Sequence, residues 1–319
     1  MHVKKERKYL MKKEQIVSII MAALIIAGAT TITSNAASYP DVVSSESTYF
    51  AIDNDFVHNY LTLKGISNKN TSSYARPSIV ISGKALSVKG IVINEKIYIP
   101  FRAAANAIGA SYSYDSSTKT SVMRAEGLVM NAGAGCYTVY ANDRALFSET
   151  PVVIMNDGRM YIPASIFAKA VGMKVVEEGD TVSLVGKYSP LVHASRYYRE
   201  DEVFWLARII HAESRGEPLF GKIAVGDVVL NRVRSSLYPN TIYSVIFDRK
   251  YGVQFSPILD GSIYNTPDFN SILAAKICLE GYNISSEALF FLEPSHSTSS
   301  WIPKNREYIF SIGKHDFYR

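Results

Sequence analysis

A chain of 319 residues is long enough for two domains, and its two cysteines are too few for a disulfide framework. The formal net charge is +5, but residues 1–36 carry Lys4, Lys5, Arg7, Lys8, Lys12 and Lys13 against only Glu6 and Glu14. The remainder is close to neutral, which removes any general argument for nucleic acid as a partner.

The basic start, the apolar run from Ile16 to about Ile26 and the small residues Ser34-Asn35-Ala36 are the parts of a secretory signal. Residues 1–36 are therefore predicted to be a signal peptide cut after Ala36. The run is shorter than the roughly 20 residues a spanning helix needs. The expected mature protein is secreted, with no membrane association after cleavage; an uncleaved anchor is the alternative. Residues 37–76 are rich in Ser, Asn, Asp and Thr without sustained period, and read as a flexible lead-in.

Residues 77–187 hold an internal repeat. Tyr98-Ile99-Pro100 recurs as Tyr161-Ile162-Pro163, and Ala105, Ala107 and Gly109 recur as Ala168, Ala170 and Gly172. Each copy has a turn (Asn94-Glu95; Asn156-Asp157-Gly158), a short strand ending in Pro and an alanine-rich helix closed by Gly. Asn156-Asp157-Gly158 could open a calcium loop, but a hairpin turn is the simpler use of residues that tolerate positive φ. Further strands are expected at Ser111–Tyr114, Ser121–Arg124, Lys174–Val176 and Thr181–Val185. Cys136 and Cys278 read as two buried small hydrophobes in different domains. The repeat resembles the small module named after the N-terminal domain of copper amine oxidases. Residues 77–187 contain no histidine, so imidazole ligands for copper are missing.

Residues 188–200, polar and tyrosine-rich, read as a linker to a terminal domain over 201–319. That domain opens with a helix whose first turn is acidic (Asp201, Glu202) and whose apolar stripe is Val203, Leu206, Ala207 and Ile210. Glu213 falls at the edge of the stripe, just before Gly216 and Pro218 break the helix. A half-buried carboxyl group there should have a raised pKa and a proton to give near neutral pH; the plain alternative is a solvated helix-end acid paired with Arg215. Ile223–Val233 is apolar nearly all round and predicts a buried central helix carrying Asp227 and Asn231. Tyr251–Tyr264 reads as a hairpin or bent loop, and Thr266-Pro267-Asp268 as the start of a helix that Gly281 ends. The expected fold is α+β: a small repeated β-rich module before a mostly helical, lysozyme-like domain.

The run Leu206–Pro218, with His211-Ala212-Glu213-Ser214-Arg215-Gly216-Glu217-Pro218 at its end, continues into Gly221–Val233. Then come Gln254-Phe255-Ser256-Pro257 with Asp260-Gly261, Thr266-Pro267-Asp268, Ala288-Leu289-Phe290-Phe291, Trp301-Ile302 and Ile312–Tyr318. In this order they resemble the SleB/CwlJ-type cell wall hydrolases, a family that includes spore cortex-lytic enzymes. The resemblance implies a peptidoglycan-cleaving enzyme at the cell wall or cell surface, the spore included. It implies cleavage of the β-1,4 bond between N-acetylmuramic acid and N-acetylglucosamine by the lytic transglycosylase route, with Glu213 as the catalytic acid.

That route needs one carboxylic acid, because the muramic C6 hydroxyl attacks; water-using glycosidases add a second carboxylate. Glu217 reads as a local cap or ion-pair partner more readily than as that second group. Asp227 stands where the family commonly has a small apolar residue and would raise the Glu213 pKa only if buried beside it. Glu293 replaces an Asn common before Pro294 in relatives. Sugars stack on aromatic faces and bond through hydroxyls, so Asn231, Gln254, Phe255, Ser256, Tyr264, Phe291 and Trp301 are the expected substrate contacts, with Tyr251 a further candidate. A metal peptidase or amidase built on His211, Glu213, His296 and His315 is the weaker alternative, because His211 and Glu213 point about 160° apart on a helix. A non-catalytic glycan-binding surface protein is another. No metal or cofactor is expected: no glycine-rich phosphate loop lies between a strand and a helix.

Overall fold

The structure is a computed structural model that describes residues 75–250, 252–297 and 300–319. The expected signal peptide, the lead-in up to residue 74, and Tyr251 lie outside the described residues.

Strands β1 (Ser78–Ile81), β2 (Lys84–Ala85), β3 (Ile91–Ile93) and β4 (Lys96–Pro100) lead into helix α1 (Phe101–Ala107). The β3–β4 turn is tight because Asn94 and Glu95 both take positive φ, 49° and 62°, the conformation of a two-residue hairpin loop. Strands β5 (Ser111–Asp115), β6 (Thr120–Ala125), β7 (Leu128–Gly133), β8 (Thr138–Ala141) and β9 (Arg144–Phe147) form one antiparallel meander in sequence order. The second copy supplies β10 (Val153–Ile154), β11 (Met160–Pro163), α2 (Ala164–Val171), β12 (Lys174–Glu178) and β13 (Thr181–Val185).

The two copies do not stand side by side as separate beads. Strands β4 and β11 pair antiparallel, so one Tyr-Ile-Pro lies against the other, with Ile99 opposite Ile162, both fully buried. At the far end β13 pairs in parallel with β1. The Asn156-Asp157-Gly158 segment is the β10–β11 turn. The Asp157 carboxylate accepts from Arg159 N and Nη1 and from Tyr161 Oη.

Residues 188–200 are not a free tether. Asn142 Nδ2 donates to Leu191 O at 2.7 Å, Tyr188 Oη donates to Glu126 O, and a short helix α3 (Ala194–Tyr197) follows. The chain then enters α4 (Glu200–Ser214), α5 (Leu219–Arg234), α6 (Ile242–Ile246), α7 (Pro257–Asp260), a single 3₁₀ turn (Ser262–Tyr264) and α8 (Phe269–Leu279). Strand β14 (Phe290–Leu292), helix α9 (Trp301–Asn305), and strands β15 (Tyr308–Ile312) and β16 (His315–Tyr318) complete the domain, the three strands pairing in the order β14-β16-β15. Every residue from Leu219 to Arg232 is buried, as the all-round apolar pattern requires. A Cβ on Gly226 would sit 2.8 Å from Cys278 Sγ and 3.0 Å from Ile210 Cδ1; its absence lets α4 and α8 close onto α5.

Two sequence expectations differ in detail. The 251–264 region is helical at α7, where Pro257 takes the first position and Gly261, at φ +81°, terminates it. Helix α8 begins at Phe269, one residue past Asp268, whose Oδ1 accepts from Ser271 N at 2.7 Å and so caps the helix.

The repeat module and the terminal helices share apolar core. Phe147 packs edge-on against Phe220 at 5.7 Å and against Tyr282 at 4.6 Å. Glu280, at the end of α8, is buried and takes two bonds from Arg144, at 2.8 and 2.9 Å, one from Tyr198 Oη at 2.8 Å and an ion pair with Lys169 at 3.0 Å. The Arg144 guanidinium also stacks 3.3 Å over the Tyr197 ring.

Candidate functional site

Glu213 lies in the last turn of α4. That turn is held by Lys222 of α5, whose Nζ donates to Ser214 O at 3.0 Å and Arg215 O at 3.3 Å, satisfying carbonyls the helix end leaves open. Lys222 itself is buried and also reaches Ser271 Oγ and Asp268 Oδ2. His211 meets the same Asp268, accepting from its N at 3.2 Å, and burial lowers its pKa, which favours the neutral ring. Two helices thus fix the acid's backbone.

The Glu213 side chain is half-buried. Desolvation, helped by the nearby Asp260 carboxylate and opposed by Arg232, pushes its pKa up from 4.5 to about 7. Asp260 is the reverse case: exposed at the end of α7, it accepts from Ser262 N at 2.8 Å and is held below the usual carboxylate range. Two carboxyl groups with pKa values pushed apart, one keeping a substantial share of its protons at neutral pH and the other ionised, can divide the roles of proton donor and fixed negative charge.

Arg232 is the cation of this site. It is 4% exposed, donates from Nε to Leu289 O at 2.8 Å, and lies 5.1 Å from the Tyr238 and Phe255 ring centres and 5.4 Å from that of Phe290. Its Nη1 has no hydrogen-bond partner. A buried guanidinium near a carboxylic acid stabilises the carboxylate that remains after the proton has left. Neither role is stated by the sequence: Arg232 is one of three cations in a largely apolar helix, with Lys222 and Arg234, and Asp260 one of two Asp-Gly turns.

The structure divides the expected substrate contacts. Gln254 and Ser256 lie just before α7, Ser256 exposed, and Gln254 Nε2 donates to Gly252 O. Tyr264 is 52% exposed on the 3₁₀ turn. Trp301, 51% exposed, stands beside Phe290 and Arg306 at the start of α9.

Of the other three, Phe255 and Asn231 are corrected and Phe291 stays a candidate. Phe255 is 2% exposed, and its ring is taken up by Arg232 and Phe291; it forms core rather than a sugar platform. Phe291 is half-buried among His315, Phe317 and Phe255. Asn231 is buried, both Nδ2 hydrogens are given to Ser285 O and Ala288 O, and Oδ1 accepts from Arg234 and Asn283. With its amide spent on the 283–288 loop, it has nothing left for a ligand.

Glu217 is also spent. Its Oε2 accepts from Lys314 N at 3.1 Å and stands 3.8 Å from His315 Nδ1, pinning the β15–β16 turn. Glu293 pairs with His296 at 2.7 Å. Among the described residues, no three His, Cys, Asp or Glu side chains are grouped to hold a metal ion.

Asp227 takes no part in the shift of the Glu213 pKa, whose causes are burial, Asp260 and Arg232. Its Oδ2 accepts from Ile284 N at 2.7 Å, and burial raises its pKa from 3.8 to about 7. Between those values the folded state keeps a proton that the unfolded chain has released, so this group makes stability fall as pH rises through the window and level off above it. Asp227→Asn is expected to remove that part of the slope. Melting temperatures of the two proteins at about pH 5 and about pH 8 check it; an unchanged difference would show that Asp227 titrates normally.

The comparisons with known proteins bear on both halves of the chain. Residues 216–318 match the family described as Cell Wall Hydrolase, a stretch that opens just after Glu213, and residues 80–185 match the Copper amine oxidase N-terminal domain. The chain is similar to the spore cortex-lytic enzyme of Bacillus cereus, 38% identical over 120 residues, covering 38% of this chain and 45% of that protein. It is similar to that of Bacillus subtilis strain 168, 37% identical over 120 residues and 38% of each chain. The chain thus spans less than half the length of these curated relatives. A solved structure described as the catalytic domain of a germination-specific lytic transglycosylase, SleB, from Bacillus anthracis is 38% identical. That match covers 38% of this chain and 97% of the other, with a TM-score of 0.35.

Proposed function

From a chain that carries a cell wall hydrolase domain behind a copper amine oxidase N-terminal domain, we propose that the protein cleaves peptidoglycan glycan strands as a lytic transglycosylase. It acts outside the membrane, at the wall or in the spore cortex. One observation supports this above others: Glu213 is a half-buried acid with its pKa near 7, beside an ionised Asp260.

The proton on Glu213 goes to the glycosidic oxygen as the bond from muramic C1 breaks, and that oxygen becomes the new hydroxyl of N-acetylglucosamine. Positive charge grows on the sugar ring. The Asp260 carboxylate favours that charge, while the buried Arg232 guanidinium favours the carboxylate left on Glu213. The muramic C6 oxygen then bonds to C1, and its proton passes to Glu213, restoring the acid. No water is consumed.

Asp260 also supports a second reading. A carboxylate held in its ionised form near a protonated one is the pair a muramidase uses, with water as the attacking group. Mass spectrometry of a wall digest separates the two. The expected product carries 1,6-anhydromuramic ends, one water lighter than reducing ends. Reducing ends alone, lost in Asp260→Asn, would assign the chain to the muramidase class. Cut peptides on intact glycan would move it to the amidases or peptidases, and wall that binds the protein undigested would leave a binding module.

A further inference from the structure

We infer that Trp205, Tyr243 and Tyr264 form a second glycan-binding subsite, which holds the polysaccharide strand along α4 at a distance from the bond being cut. The inference rests on the reading of Glu213 as a glycan-cleaving acid and names where the rest of that substrate lies.

Trp205, Ile209 and Glu213 occupy positions i, i+4 and i+8 of α4, so they share one ridge of the helix. At about 1.5 Å rise per residue, Trp205 stands about 12 Å from the acid along the axis, the reach of a short run of sugar rings. A second element runs beside the same ridge. Asp260, where α7 gives way to the 3₁₀ turn, acts on Glu213, and Tyr264, four residues on at the end of that turn, packs on Trp205 with ring centres 6.4 Å apart. The segment therefore links the acid to the aromatic group by a path independent of α4.

The shelf joins two exposed phenols to a half-buried indole, Trp205, and is rigid. Tyr243 of α6 meets Trp205 edge-on at 5.2 Å, and Tyr243 and Tyr264 remain 51% and 52% exposed. Phe247 backs them, 5.2 Å from Trp205 and 4.6 Å from Tyr243. The 3₁₀ turn is tied to α4 by Arg208, whose Nη1 donates to Asn265 O at 2.7 Å, so Tyr264 has little freedom to lose on binding. An indole flanked by two phenols presents apolar faces with hydroxyls at the rim. That combination suits the C–H faces and hydroxyls of a sugar better than a purely apolar protein surface. The polymer named by the adjoining acid is a glycan, and a strand passing through the site has to continue in some direction; Ile209 is fully buried between Trp205 and Glu213, so the open path is the α7 and 3₁₀ segment beside them, exposed at Leu259, Asp260 and Tyr264.

The test uses the full chain. Trp205 and Trp301 are the two tryptophans, so Trp301→Phe leaves Trp205 as the sole fluorescent reporter, and Glu213→Gln prevents turnover. Titration of this double variant with soluble, peptide-free peptidoglycan strands should give a saturable change in emission. Tyr243→Ala and Tyr264→Ala should each weaken binding by about three- to tenfold, the worth of one aromatic contact, whereas Tyr243→Phe, which keeps the ring, should bind within about twofold of the parent. Strands that the native protein cleaves but that leave Trp205 emission unmoved would overturn the subsite, as would alanine variants that bind like the parent. Strands that shift Trp205 but are never cut would leave the subsite standing and remove the enzymatic reading.

Discussion

Glu213→Gln lowers glycan cleavage by about 100- to 10,000-fold, the usual worth of a positioned general acid. Gln keeps the volume and polarity of the side chain in a half-buried position, so circular dichroism and the melting temperature should stay close to those of the native chain. The loss comes from chemistry alone: an amide cannot give a proton to the leaving oxygen. Asp260 cannot replace it, since its own bonds hold it ionised, and Glu217 is committed to the β15–β16 turn. The native rate should fall as pH rises through about 7, because the acid must be protonated to act. Arg232→Met should move that fall to higher pH, since the cation opposes the shift that burial produces. A folded Gln variant that cuts glycan at the native rate would remove Glu213 from the mechanism.

The second large effect is on stability. Arg144→Ala should destabilise the protein by about 3 kcal/mol or more, the cost of stripping one partner from a buried ion pair. Both ends of the pair are buried, and Glu280 draws two of its bonds from Arg144. Lys169 and Tyr198 remain, which places the expectation at the lower end of the range seen for such pairs. Replacing Arg144 and Glu280 together by Leu should recover much of the loss, because no charge is then left without a partner. Denaturant titration of the single and double variants measures both changes. A single variant as stable as the native chain would mean that the repeat module and the terminal helices are only loosely joined.

What the sequence made legible was local. Glu213 could be located because a 3.6-residue period is visible within one helix, and the repeat because Tyr-Ile-Pro recurs at the start of two alanine-rich helices. The buried α5 announced itself by an apolar character that has no polar face. The errors came from partners distant in the chain. Phe255 and Asn231 have the chemistry of sugar contacts, but Arg232 and the carbonyls of Ser285 and Ala288 claim them first. Asp260-Gly261 belongs to the family pattern, but its role beside Glu213, and that of Trp205, depend on which helix a loop lies against, and no pattern in residues 257–264 states that. The packed stretch at 188–200 was misread for a related reason: a polar composition suits a tether, yet backbone and phenol groups there find fixed partners in the module.

The pairing of β1 with β13 bears on how the protein comes to be folded. The first strand of the module gains its parallel neighbour only from its last, Ser78 against Thr181, and the two Tyr-Ile-Pro strands meet across most of the interval between them. Chain closure on that scale costs entropy before contacts return it, so such topologies form slowly. Half of this duplication, emerging first from a ribosome, would find its sheets short of a strand and its isoleucines uncovered. The duplication therefore sets a kinetic requirement: the whole span must be available before either copy can settle, and the interval before that moment is when the chain is most exposed to aggregation.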